Sequence, residues 1–345
     1  MATLKDLSEY TGYSIATISR ILNSDPSMSA SEETRKKVLE AANTLNYAAT
    51  KSRKGRNLKT VLSLGILLSC PYVHIEEHYK RLWGSCIGRV CRDMKIEPID
   101  LSFDENGQLP FGTMELDGIL AIGVFEDAQI EQLARVSENV VFIDSSPDEL
   151  RCDAVVSNCS AGIAQAMEQF IAFGHKSIGY IGPCLSRSRL TRSILFGVIF
   201  DLYLDAMRIC NLESEKWYLD AAIDAKETEE QILAHVRGGG ELPTALIAAT
   251  EENAAGVYAA AKKLGLSVPE DLSVIAFSST AQMPRLQPAL TTVHVQAEEL
   301  CRAAVRLICE RVPGQGTNEV RLTPKKVMIP PTLMKRESVS QPKKN

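Results

Sequence analysis

From residue 61 onward one feature repeats: short, unbroken apolar runs separated by helix-length stretches. The runs are VLSLGILL (61–68), GILAIG (118–123), VVFID (140–144), AVVSN (154–158), SIGYIG (177–182), ALIAAT (245–250), LSVIAFS (272–278) and LTTVHV (290–295). Helix-length segments lie between them at 80–94, 127–136, 161–174, 252–265 and 297–309, among others. A β-rich run without polar interruption is a strand buried on both faces. Strands alternating with helices demand right-handed crossovers and a parallel sheet. Eight such strands in a chain of 345 residues exceed one small domain and suit two. The fold class is therefore α/β, with a body of two doubly wound parallel-sheet lobes. No run reaches the ~18–20 residues of a membrane span. MATLKDLSEY lacks the basic-then-apolar order of a signal peptide.

The first 60 residues read differently. They carry ten Lys/Arg against six Asp/Glu, a balance of +4, while the remainder carries −9, giving −5 in all. A basic module on an acidic body suits docking onto a polyanion, although a short window can reach that balance by chance. Thr3 is placed as an N-cap with Asp6 as its reciprocal partner, and Gly12 as a left-handed stop. Ser14 caps a second helix with Ile18, Ile21 and Leu22 on one side. A third helix is expected to start at Ser29, with Glu32 three residues on and Val38, Leu39, Ala42 and Leu45 at helical spacing. A helix, a tight turn at Gly12–Tyr13 and a second helix make a helix-turn-helix. With Ile18 and Ile21 inward, Ile15, Ala16, Ser19 and Arg20 face outward or flank the seam. Small side chains let the helix enter a major groove, where one arginine can fork onto guanine. A plain three-helix bundle with a solvated Arg20 fits the pattern too. The run TKSRKGRNLKT then gathers Lys51, Arg53, Lys54, Arg56 and Lys59 without an apolar stripe. It reads as a linker that can lie on phosphates or in a minor groove.

The segments TLKDLSEYTGYSIATISRILN and EETRKKVLEAANTLNY, with the α/β body behind them, resemble the LacI/GalR family of bacterial transcription regulators. The resemblance implies a three-helix head and a body like a periplasmic sugar-binding protein, with three chain crossings near 159–162, 289–291 and 318–324. The implied domains are a helix-turn-helix unit over 1–47 and a basic hinge over 48–60. An N-terminal lobe then spans 61–159 and 290–320, a C-terminal lobe 160–289 and 321–338, and a tail 339–345. By the same resemblance Ile15, Ala16 and Arg20 occupy base-reading positions, while Thr3, Ser14, Thr17, Asn23 and Tyr47 mostly touch the DNA backbone. Family members commonly place a minor-groove leucine nine residues past this tyrosine. Here Arg56 stands there, preceded by Gly55, so readout of a narrow minor groove by an arginine is the alternative to wedging.

Ligands of doubly wound sheets bind at the carboxyl ends of the strands. Asp144, Asn158, Glu251, Ser278 and Ser279 close such strands, and Arg192 follows another. Strand-end Asn, Glu and Ser also serve as helix caps. Asp144 and Arg192 match family positions that hydrogen-bond the effector, and His78 and Tyr79 lie near the same site. The chain departs from the family where Thr250-Glu251 replaces Asn-Asp, where Ser278-Ser279 replaces Asp, and where Ala221 replaces a stacking aromatic. The occupant can therefore be a sugar, a galactoside, a nucleoside, a phosphorylated metabolite or a protein partner, or the cleft can take none. No dinucleotide, P-loop, nucleophile-elbow or zinc-protease motif is present, so neither an enzyme nor a cofactor is expected. Nine scattered cysteines without a C-x-x-C pair, and histidines 74, 78, 175, 235 and 294 without metal spacing, exclude a sequence-legible metal site. The cysteine usage suits a reducing cytosol. The expected protein is a cytoplasmic, homodimeric repressor of palindromic double-stranded operator DNA, switched by a small molecule. The competing class is a solute-binding or sugar- or nucleoside-handling α/β protein whose head binds protein.

Overall fold

A computed structural model describes residues 3–22, 30–45, 61–70, 76–109, 116–184, 197–212, 217–278, 286–312 and 320–343. The head contains α1 (Leu4–Thr11), α2 (Ile15–Leu22) and α3 (Glu32–Thr44). Thr3 and Asp6 form the expected reciprocal cap: Thr3 Oγ1 accepts from the Asp6 amide at 3.3 Å, and the Asp6 carboxylate accepts from the Thr3 amide at 2.6 Å. Gly12, at φ 74°, ends α1 in the left-handed region that favours glycine. Ser14 Oγ accepts from the Thr17 amide at 3.1 Å and opens α2. The third helix starts from Ser31, whose hydroxyl accepts from Thr34 N at 3.2 Å, and not from Ser29, which lies outside the described residues. A Ser followed three residues later by a helix-starting amide fits at either position, and only the backbone path separates them. Helices this short are unstable alone. Leu7, Ile18, Ile21, Val38, Ala41 and Ala42 bury one shared core between them. Each of the larger side chains contributes roughly 1.5–3 kcal/mol by leaving water.

The body continues as β1 (Leu62–Ser69), α4 (Glu76–Met94), β2 (Ile96–Leu101), β3 (Gly118–Gly123), α5 (Asp127–Val136), β4 (Val140–Ile143) and β5 (Asp153–Ser157). Then come α6 (Cys159–Ala172), β6 (Ile178–Gly182), α7 (Gly197–Ile209), β7 (Trp217–Asp220), α8 (Ala225–Arg237), β8 (Ala245–Ala248), α9 (Glu251–Leu264) and β9 (Ser273–Ser278). The chain closes with β10 (Thr291–His294), α10 (Ala297–Cys309), β11 (Lys326–Ile329) and β12 (Thr332–Met334). Two six-stranded sheets result, ordered β11-β5-β4-β3-β1-β2 and β12-β10-β9-β8-β6-β7. All pairings are parallel except β10 with β12. Each sheet is covered on both faces. On the first, α4 and α10 pack over one face and α5 over the other. On the second, α6 and α7 oppose α8 and α9. This is the α/β architecture expected from the apolar runs.

The chain passes between the sheets three times. The first passage, at Asn158 between β5 and α6, lies beside the expected position. The second was expected at 289–291, but β10 stays in the second sheet paired to β9, and the chain crosses at Val295-Gln296. LTTVHV is buried as an inner strand of that sheet, between β9 and β12, so the passage must wait for its end. The third was expected at 318–324, yet β11 pairs with β5 in the first sheet and the crossing is Pro330-Pro331. Two prolines cannot donate to a ladder, which ends β11 there. Residues 339–343 do not form a separate tail. Ser340 N donates to Ser273 Oγ at 3.1 Å, and Lys343 pairs with Asp271.

Candidate DNA-reading head and effector cleft

The head presents its second helix with two unlike faces. Ile18 and Ile21 are buried, whereas Ser14, Ile15, Ala16 and Arg20 are exposed, Ile15 to 47%. Thr17 is half-buried, and its hydroxyl pairs with that of Ser14 at 2.8 Å. Thr3 lies at the start of α1, tied to Asp6. The structure thus brings Ser14, Ile15, Ala16, Thr17 and Arg20 onto one helix. Asn23, Tyr47, Lys51, Arg53, Lys54 and Arg56 lie outside the described residues.

The cleft follows from the connections. All three crossings leave from the carboxyl end of a strand, namely β5, β10 and β11. The third delivers Thr332 beside His294, the carboxyl end of β10. Connections of one or two residues span at most roughly 11 Å. The carboxyl ends of the two sheets therefore adjoin. One side-chain and one backbone bond tie the crossings to one another: Gln296 Nε2 donates to Thr332 Oγ1 at 3.1 Å, and the Asn158 amide donates to Ile329 O at 2.8 Å. Gln165 grips the third crossing from both sides, donating to Pro331 O at 3.1 Å and accepting from Leu333 N at 2.9 Å.

On the first sheet's side, Asp144 follows β4 with φ 70°, a left-handed value that costs a non-glycine residue energy and turns the side chain out of the strand. It is 8% exposed, and Tyr79 Oη donates to its Oδ2 at 3.1 Å. Burial pushes the Asp144 carboxyl up to about 7, against the opposing pull of the Tyr79 hydrogen bond. Burial, then the Asp144 charge, drives the Tyr79 phenol well above its usual value. Cys159, at the start of α6, is pushed to about 12 by burial and by Asp144. Gly123, at φ 105°, allows β1 and β3 to end together, since a Cβ there would lie 1.9 Å from Ser69 O. Sequence reasoning missed Trp83 and Ser145. Both are neighbours of the site in sequence, Trp83 four residues past Tyr79 on α4 with ring centroids 5.9 Å apart, and Ser145 next to Asp144. Among the described residues the buried Trp83 Nε1 and Ser145 Oγ have no hydrogen-bond partner. Leaving such a group unpaired costs about 1–3 kcal/mol, which a ligand hydroxyl or water relieves.

On the second sheet's side, Ser278 closes β9 and donates to Glu251 Oε1, both residues being buried. Thr250, not Glu251, caps α9, and Asn253 donates to Ala222 O at 2.7 Å and to Thr228 Oγ1 at 2.9 Å. Asn158 caps α6 by accepting from Ala161 N at 3.1 Å. His78 falls within α4. Arg192 and Ser279 lie outside the described residues. The structure brings Tyr79 to Asp144 and Glu251 to Ser278. The His175 ring bridges Thr244 Oγ1 at 2.9 Å and Ser340 O at 2.8 Å. Among the described residues no cluster of His, Cys, Asp or Glu is suited to a metal ion, and no helix is long and apolar enough to cross a membrane.

Residues 3–49 match the bacterial regulatory proteins of the lacI family, and residues 167–339 match the periplasmic binding protein-like domain. The transcriptional regulator GanR of Bacillus subtilis is 29% identical over 99% of this chain and 100% of its own. The transcriptional repressor MelR of the same organism is 30% identical over 98% of this chain and 97% of its own. Among solved structures, the lac repressor dimer bound to operator and the anti-inducer ONPF superposes with a TM-score of 0.63 at 20% identity, covering 98% of this chain and 99% of that one. These relatives are transcription regulators and not enzymes, which removes the solute-handling alternative. The exposed face of α2, the two sheets joined at their carboxyl ends and the full-length similarity together place this chain in the LacI family of DNA-binding transcription regulators.

Proposed function

We propose that the protein is a homodimeric repressor of a carbohydrate-utilisation operon, released from a palindromic operator when a sugar or galactoside enters the cleft between its lobes. The observation that carries the DNA half is the polarity of α2, with Ile18 and Ile21 buried and Ile15, Ala16 and Arg20 exposed. One helix reads few base pairs, and two-fold symmetry doubles the site. Arg56 and the neighbouring linker cations add phosphate or minor-groove contact. Solved relatives have been captured with ribose, sucrose and cellobiose, which supports a sugar here. His78, Tyr79, Asp144, Arg192, Glu251, Ser278 and Ser279 form the proposed ligand set. The lobes correspond to 61–157 with 297–329 and to 159–294 with 332–343, following sheet membership. Ligand closure around the short crossings moves one lobe against the other. A coupling of a few kcal/mol then suffices to release DNA.

The test has two arms. Affinity for a selected duplex falls about a thousandfold between 50 and 200 mM salt if six or more phosphates are neutralised. Binding that ignores salt sinks the repressor reading. In the second arm, sugars, galactosides and nucleosides are screened by thermal shift. A ligand at a hundred times its dissociation constant adds about 2.7 kcal/mol. A screen in which only nucleosides or phosphorylated compounds stabilise the chain overturns the sugar assignment.

A further inference from the structure

The polar atoms at the start of α2 are already engaged. Ser14 Oγ accepts the Thr17 amide at 3.1 Å and pairs with the Thr17 hydroxyl at 2.8 Å. The two residues between them, Ile15 and Ala16, are exposed and have no hydrogen-bonding side-chain atom. Ile15 keeps 47% of its surface in water although the head has an apolar core that could have taken it. Ile18 and Ile21 set the inward face; Ile15, three residues before Ile18 in the first turn, stands at its rim, and Ala16 faces away from it. Arg20, one and a half turns on, is exposed on the same helix. The leading turn of this helix therefore offers an apolar knob beside a small residue, with the charge set back.

The major groove has one apolar feature, the thymine 5-methyl group. In a helix-turn-helix the N-terminal residues of the second helix reach the base edges. We infer that Ile15, seated close through the small Ala16, reads thymine methyl groups in each half-site, while hydrogen-bonded base discrimination falls to Arg20. The occupant of this face is thus a thymine-bearing segment of major groove. The +4 balance of residues 1–60, supplied by the linker cations that follow the head, and the exposed Arg20 favour a polyanion over an apolar protein partner. The inference rests on the operator-binding reading above and specifies which base chemistry that site takes.

The test uses the full chain. Duplexes are recovered from a random-sequence pool by binding, and each thymine of the recovered site is replaced singly by uracil, which removes only the methyl. At one or more thymines per half-site the affinity falls about fourfold, the factor for one buried methyl-sized group. Ile15→Ala abolishes that sensitivity at the same thymine. Ile15 is half in water, so the variant keeps its fold, and the thermal transition of the head checks this. Ile15→Gln moves the preference from thymine to adenine, whose N6 and N7 a glutamine amide can bind. Recovered duplexes with full indifference to uracil overturn the methyl readout while leaving operator binding intact. Uracil sensitivity that persists unchanged in Ile15→Ala and Ala16→Gly assigns the methyl contact elsewhere and also overturns it. A pool from which nothing is enriched removes the operator reading and this inference together.

Discussion

The two lobes receive their last chain segments by different chemistry. In the first lobe, α10 and β11 return to β5 and are held there by charge. The fully buried Asp153 accepts from Arg311 at 2.7 and 3.1 Å, from Arg321 at 2.6 and 2.9 Å, and from the Lys325 amide at 2.6 Å. Burial alone would raise this carboxyl, but those donors hold it below the usual range. In the second lobe, Ser338 and Ser340 hold the segment after β12 through neutral groups, and Arg336 and Lys343 add charged contacts at its edge. Ser338 Oγ accepts from Thr291 N at 2.8 Å and donates to Val274 O at 2.6 Å, and Ser340 bonds Ser273. At the proposed cleft each lobe buries an acid, held differently. Asp144 on the first side is a buried acid near its titration point, whereas Ser278 on the second side donates to Glu251. Burial raises the Asp144 carboxyl in the first lobe and lowers His175 and His294 in the second, so the first lobe carries the titrating acid and the second the titrating imidazoles.

The strongest way to break this comparison is Asp153→Ala. It leaves two largely buried guanidiniums without their carboxylate, and unfolding of the first lobe becomes easier by about 3–5 kcal/mol. Denaturant melts of the variant and parent measure it, and a loss under 1 kcal/mol would mean that water replaces the pair freely. Next is Asp144. A buried acid raised from 3.8 to about 7 stabilises the fold fully below its unfolded value and loses that contribution as pH rises to about 7. Stability of the parent therefore falls between pH 4 and 8 by up to about 4 kcal/mol from this group. Asp144→Asn flattens that part of the profile and is the more stable protein at pH 8. A variant with the parent's slope would show that the slope arises elsewhere.

Smaller effects sharpen the neutral side. Ser338→Ala orphans the Thr291 amide and the Val274 carbonyl, at a cost of about 1–3 kcal/mol that is independent of pH between 5 and 8. A strongly pH-dependent cost would contradict the neutral description. Tyr79→Phe removes a hydrogen bond that lowers the Asp144 carboxyl, so the midpoint of the Asp144 titration moves upward with a stability change of about 1 kcal/mol. Carboxyl chemical shifts followed by NMR read this directly, and a downward movement would reverse the assigned role.

What the sequence displayed was the middle of each sheet. Every apolar run became an inner strand, with β3, β4 and β9 buried throughout. The four strands without such a run, β2, β7, β11 and β12, are the four edges. IEPIDL buries only its first residue, and WYLD and KVMI alternate between exposed and half-buried positions. Edge strands have one neighbour and a wet side, so continuous apolarity, the signal that marks inner strands, is absent from them. The misplaced third crossing shares this cause, because β11 and β12 define where the chain changes lobe there, whereas the second is set by the end of the inner strand β10. The site was legible in part for a similar reason. Asp144 stands at a strand end, which sequence periodicity locates. The Ser278–Glu251 contact joins residues 27 apart across two strands and is a fact of tertiary packing. The second helix of the head was legible from Ile18 and Ile21 alone.

The three short crossings also order the events of synthesis. Strand β11, which completes the first sheet, and β12, which completes the second, are both translated after residue 325. A growing chain thus emerges from the ribosome with two unfinished lobes, each showing one bare strand flank. Prematurely terminated products lack the last strand of the second lobe, and the earlier ones lack that of the first as well, which exposes them to proteolytic clearance. A single late stretch of polypeptide therefore supplies the last strand of both lobes.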